Sequence, residues 1–196
     1  MKPIILATAT MWLFACKPMH TSSSSNIITT NYKNSNSIHA KNNPTILLGK
    51  QEPAAFLEAP FNEWFTPNFQ QYVVDSSLIA PIKNAIKNKV VEIYLGTWCG
   101  DSKREVPRML KILQAANFDR THFTLVFVNN TAEAYKQSPQ HEEQGKNIIR
   151  VPTFIVYQGK IEMGRIIESP VESLEKDLLK ILQSAPYQPN YHNQKQ

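Results

Sequence analysis

Residues 94–107, YLGTWCGDSKREVP, place a cysteine between an apolar run and a charged run with the pattern of a helix. A cysteine acts as a nucleophile through its thiolate. The unpaired N–H groups and the positive dipole end of a following helix favour that anion at Cys99, and Lys103 and Arg104 in the first turn add positive charge. Asp101 acts in the opposite direction, because a like charge disfavours the thiolate. The stretch therefore makes Cys99 the candidate nucleophile of this chain.

A dithiol centre would carry a second cysteine three residues after the first, and Ser102 stands at that position. The hydroxyl of Ser102 can donate a hydrogen bond to a thiolate but cannot form a disulfide. Cys99 can therefore attack a disulfide, but it cannot release the bound partner by a second internal attack. We expect an external thiol to resolve the mixed disulfide: a second cysteine of the substrate, a low-molecular-weight thiol or a redox partner.

The other cysteine, Cys16, follows a segment with the order of a secretion signal. One lysine precedes an apolar stretch of about a dozen residues, short of the roughly 20 that a membrane-spanning helix needs. The stretch LFAC at 13–16 resembles a bacterial lipobox, which implies cleavage before Cys16 and lipidation of its thiol. We therefore expect residues 1–15 to be a lipoprotein-type signal peptide, with an ordinary cleaved signal or a retained anchor helix as the alternatives. The mature protein would be lipid-anchored in a bacterial cell envelope, facing the periplasm.

Composition divides the rest of the chain into three parts. Fifteen of the 27 residues 17–43 are Ser, Thr or Asn. This composition predicts that residues 16–50 are a disordered tether. Residues 51–184 carry the apolar patterns of a folded domain, and the polar residues 185–196 predict a flexible tail. From Phe61 to Ser184 there are 15 Lys and Arg against 14 Asp and Glu, so the domain is near neutral and shows no sign of a nucleic-acid surface.

The apolar patterns of the domain predict strands alternating with helices. Buried strands are predicted at 90–95 and 122–129, and a hairpin that turns at Gly159 is predicted at 153–167. Helical spacing predicts helices within 76–89, 102–116 and 170–184, the last with Val171 facing inward, and a short helix capped by Asn62 and ended by Pro67. This order indicates an α/β fold with a mixed central sheet of four to five strands and helices on both faces.

Four features in this order resemble the thioredoxin family, over residues 77–183. They are the strand VVEIYL, the turn TWCGDS, Pro107 eight residues after the cysteine, and the segment IIRVPTFIVYQGK at 148–160. The resemblance implies a thioredoxin-like fold in which the Val151–Pro152 bond is cis and packs opposite Cys99. An ordinary trans proline that opens a strand is the alternative.

The same resemblance implies where a substrate would bind. The backbone of Val151, with Pro152 and Thr153 beside it, would pair with an extended partner strand. Trp98 would flank the sulfur of Cys99, although an aromatic residue at this place could equally belong to the core.

Three positions depart from the family pattern. The second cysteine is Ser102. The buried acid that thioredoxins carry six residues before the nucleophile is replaced by Ile93, with Glu92 as its neighbour on the opposite side of the strand. The glycine expected after the last strand is absent near Glu168. The first two losses agree with each other, because both remove parts of an internal resolution step.

These features predict a thiol–disulfide exchange protein with one thiol, which needs no cofactor. It would be a disulfide isomerase or reductase of exported proteins that carry thiols or disulfides, or a deglutathionylase. The alternative is a binding module in which Cys99 is inert, since free cysteines are often buried. No metal site is predicted, because the five histidines are scattered and His141, beside Glu142 and Glu143, lies in a polar stretch.

Overall fold

The computed structural model describes residues 46–194. These residues form five strands and four α-helices, with short 3₁₀ turns at Pro53–Leu57 and Arg120–His122. In chain order the elements are β1 Gly49–Gln51, α1 Asn62–Gln71, α2 Ser76–Ala85, β2 Lys89–Leu95, α3 Gly100–Ala115, β3 Phe123–Phe127, β4 Thr153–Gln158, β5 Ile161–Ile167 and α4 Leu174–Leu182. Within this part of the chain, no helix is both long enough and apolar enough to cross a membrane.

The strands form one mixed sheet in the order β1-β3-β2-β4-β5. Only β2 and β3 run parallel, and α3 is the crossover between them, as parallel neighbours require. The pairs β1–β3, β2–β4 and β4–β5 are antiparallel, and β4 and β5 form the predicted hairpin. The predicted α/β class and the mixed sheet are confirmed.

The two faces of the sheet are covered differently. Val91, Ile93 and Leu95 of β2 belong to a large apolar cluster that also contains the buried residues of all four helices. Tyr94, on the other face, belongs to a smaller cluster with residues of β3, β4 and the segment 128–152, which contains no helix. The prediction of helices on both faces is therefore corrected. The sequence left this segment ambiguous, and in the structure its turns replace a helix on that face.

The start and the end of the predicted domain are also corrected. Residues 46–50 fold with the domain: β1 pairs with β3, and Leu47 is buried and donates its N–H to the Thr97 hydroxyl at 3.3 Å. At the other end, the Tyr187 hydroxyl donates to Oδ2 of buried Asp177 at 3.1 Å, so residues 185–194 do not form a free tail. The first end is held by a strand distant in sequence and the second by a side chain of α4, and local composition reveals neither contact. Cys16 and the rest of residues 1–45 lie outside the described residues, as do 195 and 196.

Helix α1 begins and ends differently from the prediction. Phe61, rather than Asn62, occupies the N-cap position, and the helix continues through Pro67 to Gln71. The ring of Phe65 is buried and stacks on Phe56 with ring centroids 4.5 Å apart. This packing stabilises the helix across a proline that would end it in isolation, because tertiary contacts outweigh local propensity.

Helix α4 begins at Leu174, so Val171 lies before it and is 52% exposed rather than inward-facing. The cap is Ser173, whose hydroxyl accepts the N–H of Lys176 at 3.2 Å. We expect Ser173→Ala to lower the free energy of unfolding by about 1 kcal/mol, because one helix N–H loses its partner. Urea denaturation followed by circular dichroism measures this loss. Ser76→Ala, at an exposed first position of α2, is the control and should change stability by less than about 0.5 kcal/mol. An equal loss in both variants would contradict the assignment of the cap.

Candidate functional site

Cys99 lies where the turn after β2 enters α3. Its N–H donates to Gly96 O at 3.0 Å, which closes the turn, and its carbonyl accepts the first helical hydrogen bond from Lys103 N at 3.0 Å. Cys99 has extended backbone angles (φ −86°, ψ 127°) and is the N-cap residue of α3, and its side chain is partly exposed. The predicted placement of Cys99 at the start of a helix is confirmed, and the sulfur lies at the positive end of the helix dipole.

The thiol faces the segment that contains Pro152. Cys99 Sγ donates to Val151 O at 3.1 Å, and the Val151–Pro152 peptide bond is cis, as the family resemblance implied. Val151 and Pro152 are buried, and so is Thr153, whose hydroxyl donates to Arg150 O at 2.7 Å. The structure thus brings together the predicted nucleophile and the three predicted substrate-binding residues. A partner strand that paired with the Val151 carbonyl would have to replace its bond from the thiol.

Ser102 stabilises the turn rather than contacting the sulfur. It is fully buried, and its hydroxyl oxygen accepts the N–H of Gly96 at 3.3 Å. No hydrogen bond joins Ser102 to Cys99 within the described part of the chain. The side chain therefore connects the first turn of α3 to the turn that carries Cys99.

The charges at the start of α3 are mostly engaged with one another. Asp101 accepts a hydrogen bond from Arg104 at 2.7 Å, and Arg104 also donates to Glu105 at 2.5 Å. The bond with Glu105 raises the pKa of the Arg104 guanidinium. Arg104 is thus an ion-pair partner of carboxylates on its own helix, which leaves less of its charge for the sulfur than the sequence suggested.

Trp98 precedes Cys99 in the turn, and its partly buried ring packs against the sheet. Its indole N–H donates to Val128 O at 3.0 Å, and its ring lies 5.7 Å from the ring of Tyr135. It packs, with Cys99, against the apolar cluster on the helix-free face. Of the two roles that the sequence left open, these contacts support packing in the core, and a contact of the indole with the sulfur stays a prediction.

An apolar residue, Ile93, occupies the position six residues before Cys99 at which thioredoxins carry a buried acid. Ile93 is fully buried on the helix-covered face, whereas Glu92 points to the opposite face. Glu92 accepts hydrogen bonds from Tyr94 at 3.0 Å and pairs with Lys146 at 3.0 Å. Burial and the neighbouring Glu92 raise the pKa of Tyr94 well above its usual range. Glu92 thus helps to hold the segment 138–149 against the sheet through Lys146.

Sequence reasoning missed a group of charged residues around the Pro152 segment. Arg150 pairs with Glu168 at 3.2 Å and lies over the ring of Tyr191 at 4.3 Å. Glu168 has a left-handed backbone (φ 65°) at the place where the family pattern expects glycine, and its N–H donates to Pro152 O at 2.7 Å. Lys136 donates from Nζ to Ile149 O. No spacing in the sequence links these residues to Cys99, because long chain segments separate them.

In the part of the chain described by the structure, no three His, Cys, Asp or Glu side chains are grouped so that they could hold a metal ion. No protein-family model matches the chain, and no curated protein matches it. Among solved structures, the chain is similar to a protein of unknown function from Pseudomonas aeruginosa determined at 1.5 Å, with 15% sequence identity and a TM-score of 0.50. The match covers 68% of this chain and 92% of the other. At this identity the similarity supports the fold alone.

Proposed function

We propose that this protein is a thioredoxin-like thiol–disulfide exchange protein that acts through the single thiol of Cys99. The observation that carries the proposal is the position of that thiol. It is partly exposed, at the N-terminus of α3, and it faces the backbone of Val151 next to Pro152. A helix N-terminus favours the thiolate, and the thiolate is the attacking form.

The exchange proceeds in two balanced steps. The Cys99 thiolate attacks one sulfur of a partner disulfide, so that a bond forms between Cys99 and that sulfur while the second sulfur leaves as a thiolate. An external thiolate then attacks the partner sulfur of the mixed disulfide and releases Cys99 as a thiolate. The partner gains a disulfide with the external thiol, or regains an internal one where that thiol is its own second cysteine. Cys99 is unchanged over the cycle, and it is the only cysteine within the described residues.

We further propose that the partners are exported proteins with thiols or disulfides. The support is the N-terminal sequence, in which an apolar stretch precedes LFAC and a Ser-, Thr- and Asn-rich segment follows it. A lipid on Cys16 would tether the domain to a membrane of the bacterial envelope, where disulfides persist. Cys99 would then be the free thiol of the mature chain.

One observation favours the alternative of a binding module with an inert thiol. The hydrogen of Cys99 is donated to Val151 O at 3.1 Å, and only the protonated thiol can make that bond. In such a module the Cys99–Val151 contact would fasten the Pro152 segment to α3, and partners would bind the surface without exchange.

Iodoacetamide labelling over a pH series separates the two functions. The tryptic peptide 90–103 contains Cys99 as its only cysteine, so mass spectrometry follows this thiol separately from Cys16. Exchange chemistry predicts labelling at pH 6 about tenfold faster than that of free cysteine, because more of the thiol is ionised. Cys99→Ala is the control and should leave the peptide unlabelled. Labelling only above pH 9, or none in the folded protein, would support the binding module.

A further inference from the structure

Lys136 is held in place beside the site by its own loop. β3 continues at Val128, whose N–H donates to Leu95 O at 2.9 Å, at the end of β2 from which the Cys99 turn departs. The loop that follows is closed by Lys136 N to Asn129 O at 2.8 Å and Asn129 N to Gln137 O at 2.9 Å. Lys136 itself has a left-handed backbone (φ 59°). The hydrogen bonds of the loop therefore fix the backbone from which the Lys136 side chain extends.

The ammonium and the thiol are bound by the same short stretch of chain. Nζ of Lys136 donates to Ile149 O, and Sγ of Cys99 donates to Val151 O at 3.1 Å. Ile149 and Val151 are two residues apart in the chain, so their Cα atoms can be no more than about 7 Å apart. An ammonium and a sulfur that bind the carbonyls of these two residues are near enough to interact electrostatically, since opposite charges act across a Debye length of about 10 Å.

The other charges near the site are largely paired. Arg150 is bound to Glu168, and Arg104 is bound to Asp101 and Glu105. Lys136 has no carboxylate within 4.0 Å among the described residues, and its ammonium lies over the ring of Tyr135 at 4.7 Å.

The titration of Lys136 reflects these neighbours. Burial and the like charge of Arg150 lower the pKa of Lys136, while Glu168 and Cys99 act in the opposite direction. Tyr191 lies beside Arg150, and Asp101 and Lys103 lie in the first turn of α3, which begins directly after Cys99. A lysine that interacts with Cys99 in this way would in turn favour the Cys99 thiolate.

We propose that Lys136 is the positioning cation of the exchange site, which stabilises the Cys99 thiolate and draws anionic partners toward it. The inference rests on the proposed function, and it assigns to the loop after β3 a role that the sequence suggested for Lys103 and Arg104. It also names a property of the preferred partner: negative charge beside the sulfur that Cys99 attacks.

Two alkylating reagents test the role of Lys136 in the full chain. Iodoacetamide is neutral and reports the thiolate, whereas iodoacetate is an anion and also reports the local charge. We expect Lys136→Met to slow iodoacetamide labelling of Cys99 at pH 6 by about tenfold, as loss of one nearby opposite charge would. Iodoacetate labelling should slow further, and the iodoacetamide pH profile should move to higher pH. Lys136→Arg should retain both rates within about threefold, because it keeps the charge.

The control variant is Lys160→Met, which removes an exposed lysine at the distant β4–β5 turn and should leave both rates unchanged. If Lys136→Met does not fold, the inference is tested on the wild-type protein instead. The ratio of the iodoacetate rate to the iodoacetamide rate should fall as the salt concentration is raised, because salt screens the attraction of the anionic reagent. A salt-independent ratio would overturn the inference.

The outcomes also separate this inference from the proposed function. Fast labelling of Cys99 at pH 6 that is unchanged in Lys136→Met would overturn the role of Lys136 and leave exchange in place. Equal slowing by Lys136→Met and Lys136→Arg would show a structural role for the side chain and would likewise overturn the inference. Wild-type Cys99 that labels only above pH 9 would overturn both.

Discussion

Ser102→Cys is expected to convert the single-thiol site into one that closes an internal disulfide with Cys99. Residues three apart in a helical turn have Cα atoms about 5 Å apart, within the 4.4–6.8 Å range of disulfides. Helical Cβ atoms point toward the N-terminus, so the new sulfur would lean toward Cys99. The buried position of residue 102 would shield the new thiol while Cys99 stays partly exposed to a partner. Oxidation should make the 90–103 peptide lighter by two hydrogens, and turnover with a dithiol reductant should rise at least about tenfold, since the resolving thiol is now intramolecular.

Ser102→Ala is the matched control. Both variants lose the hydrogen bond from Gly96 N to the Ser102 hydroxyl, so any shared loss of stability is due to that bond. Only the cysteine variant should gain a disulfide and faster turnover. If oxidised Ser102→Cys keeps both thiols free, residue 102 does not lie within reach of the sulfur and the described geometry of the turn is wrong. If the disulfide forms but no disulfide substrate is reduced, the binding module is favoured.

Gly96→Ala is expected to destabilise the protein by about 2–3 kcal/mol, the cost of overpacking a site whose neighbours cannot move. A Cβ atom at residue 96 would lie 2.5 Å from Cε2 and Nε1 of Trp98. That indole is held by its bond to Val128 O at 3.0 Å and by the ring of Tyr135. The added methyl group must therefore displace the ring or the turn, and the turn also carries Cys99 through its bond to Gly96 O. Urea denaturation measures the stability, and labelling of Cys99 shows whether the thiol has moved.

Gly100→Ala is the control for this change, because a Cβ atom at residue 100 meets nothing within 4 Å. Residue 100 begins α3, where alanine should leave stability unchanged or raise it by up to about 1 kcal/mol. The clash itself is tested by combining Gly96→Ala with Trp98→Ala, in which the cost of the alanine should fall to below about 1 kcal/mol. A cost that stays the same in both backgrounds would place the strain elsewhere than at the indole.

The helix-free face of the sheet is central to the proposed chemistry. The segment 128–152 covers it with turns, and that segment supplies the Val151 carbonyl to the thiol and the Ile149 carbonyl to Lys136. Loops can direct polar side chains and carbonyls toward a site, whereas the backbone groups of a helix are occupied by their own hydrogen bonds. The absence of a helix at this place in the described chain therefore leaves backbone acceptors for both Cys99 and Lys136.

Local sequence patterns were sufficient to predict the elements that carry the nucleophile. The continuous apolar run at Val90–Leu95 predicted a buried strand, and the following polar, helix-forming run placed Cys99 at a helix start. The turn at Gly159 predicted the β4–β5 hairpin. These features are local. Strand, turn and helix patterns each depend on residues a few positions apart, so they can be recognised in the sequence alone.

The surroundings of the thiol depend instead on how distant segments pack together. The Lys136 ammonium and the Cys99 thiol bind carbonyls two residues apart because separate segments meet at one end of the sheet, and no period in the sequence records such a meeting. The same reason explains the error at the start of the domain, where β1 is held by β3 far along the chain, and the end is held by a side-chain contact of Tyr187 with α4 that composition does not show. It also explains why the second face of the sheet was predicted wrongly: a helix and a set of turns can bury the same apolar surface, and packing selects between them.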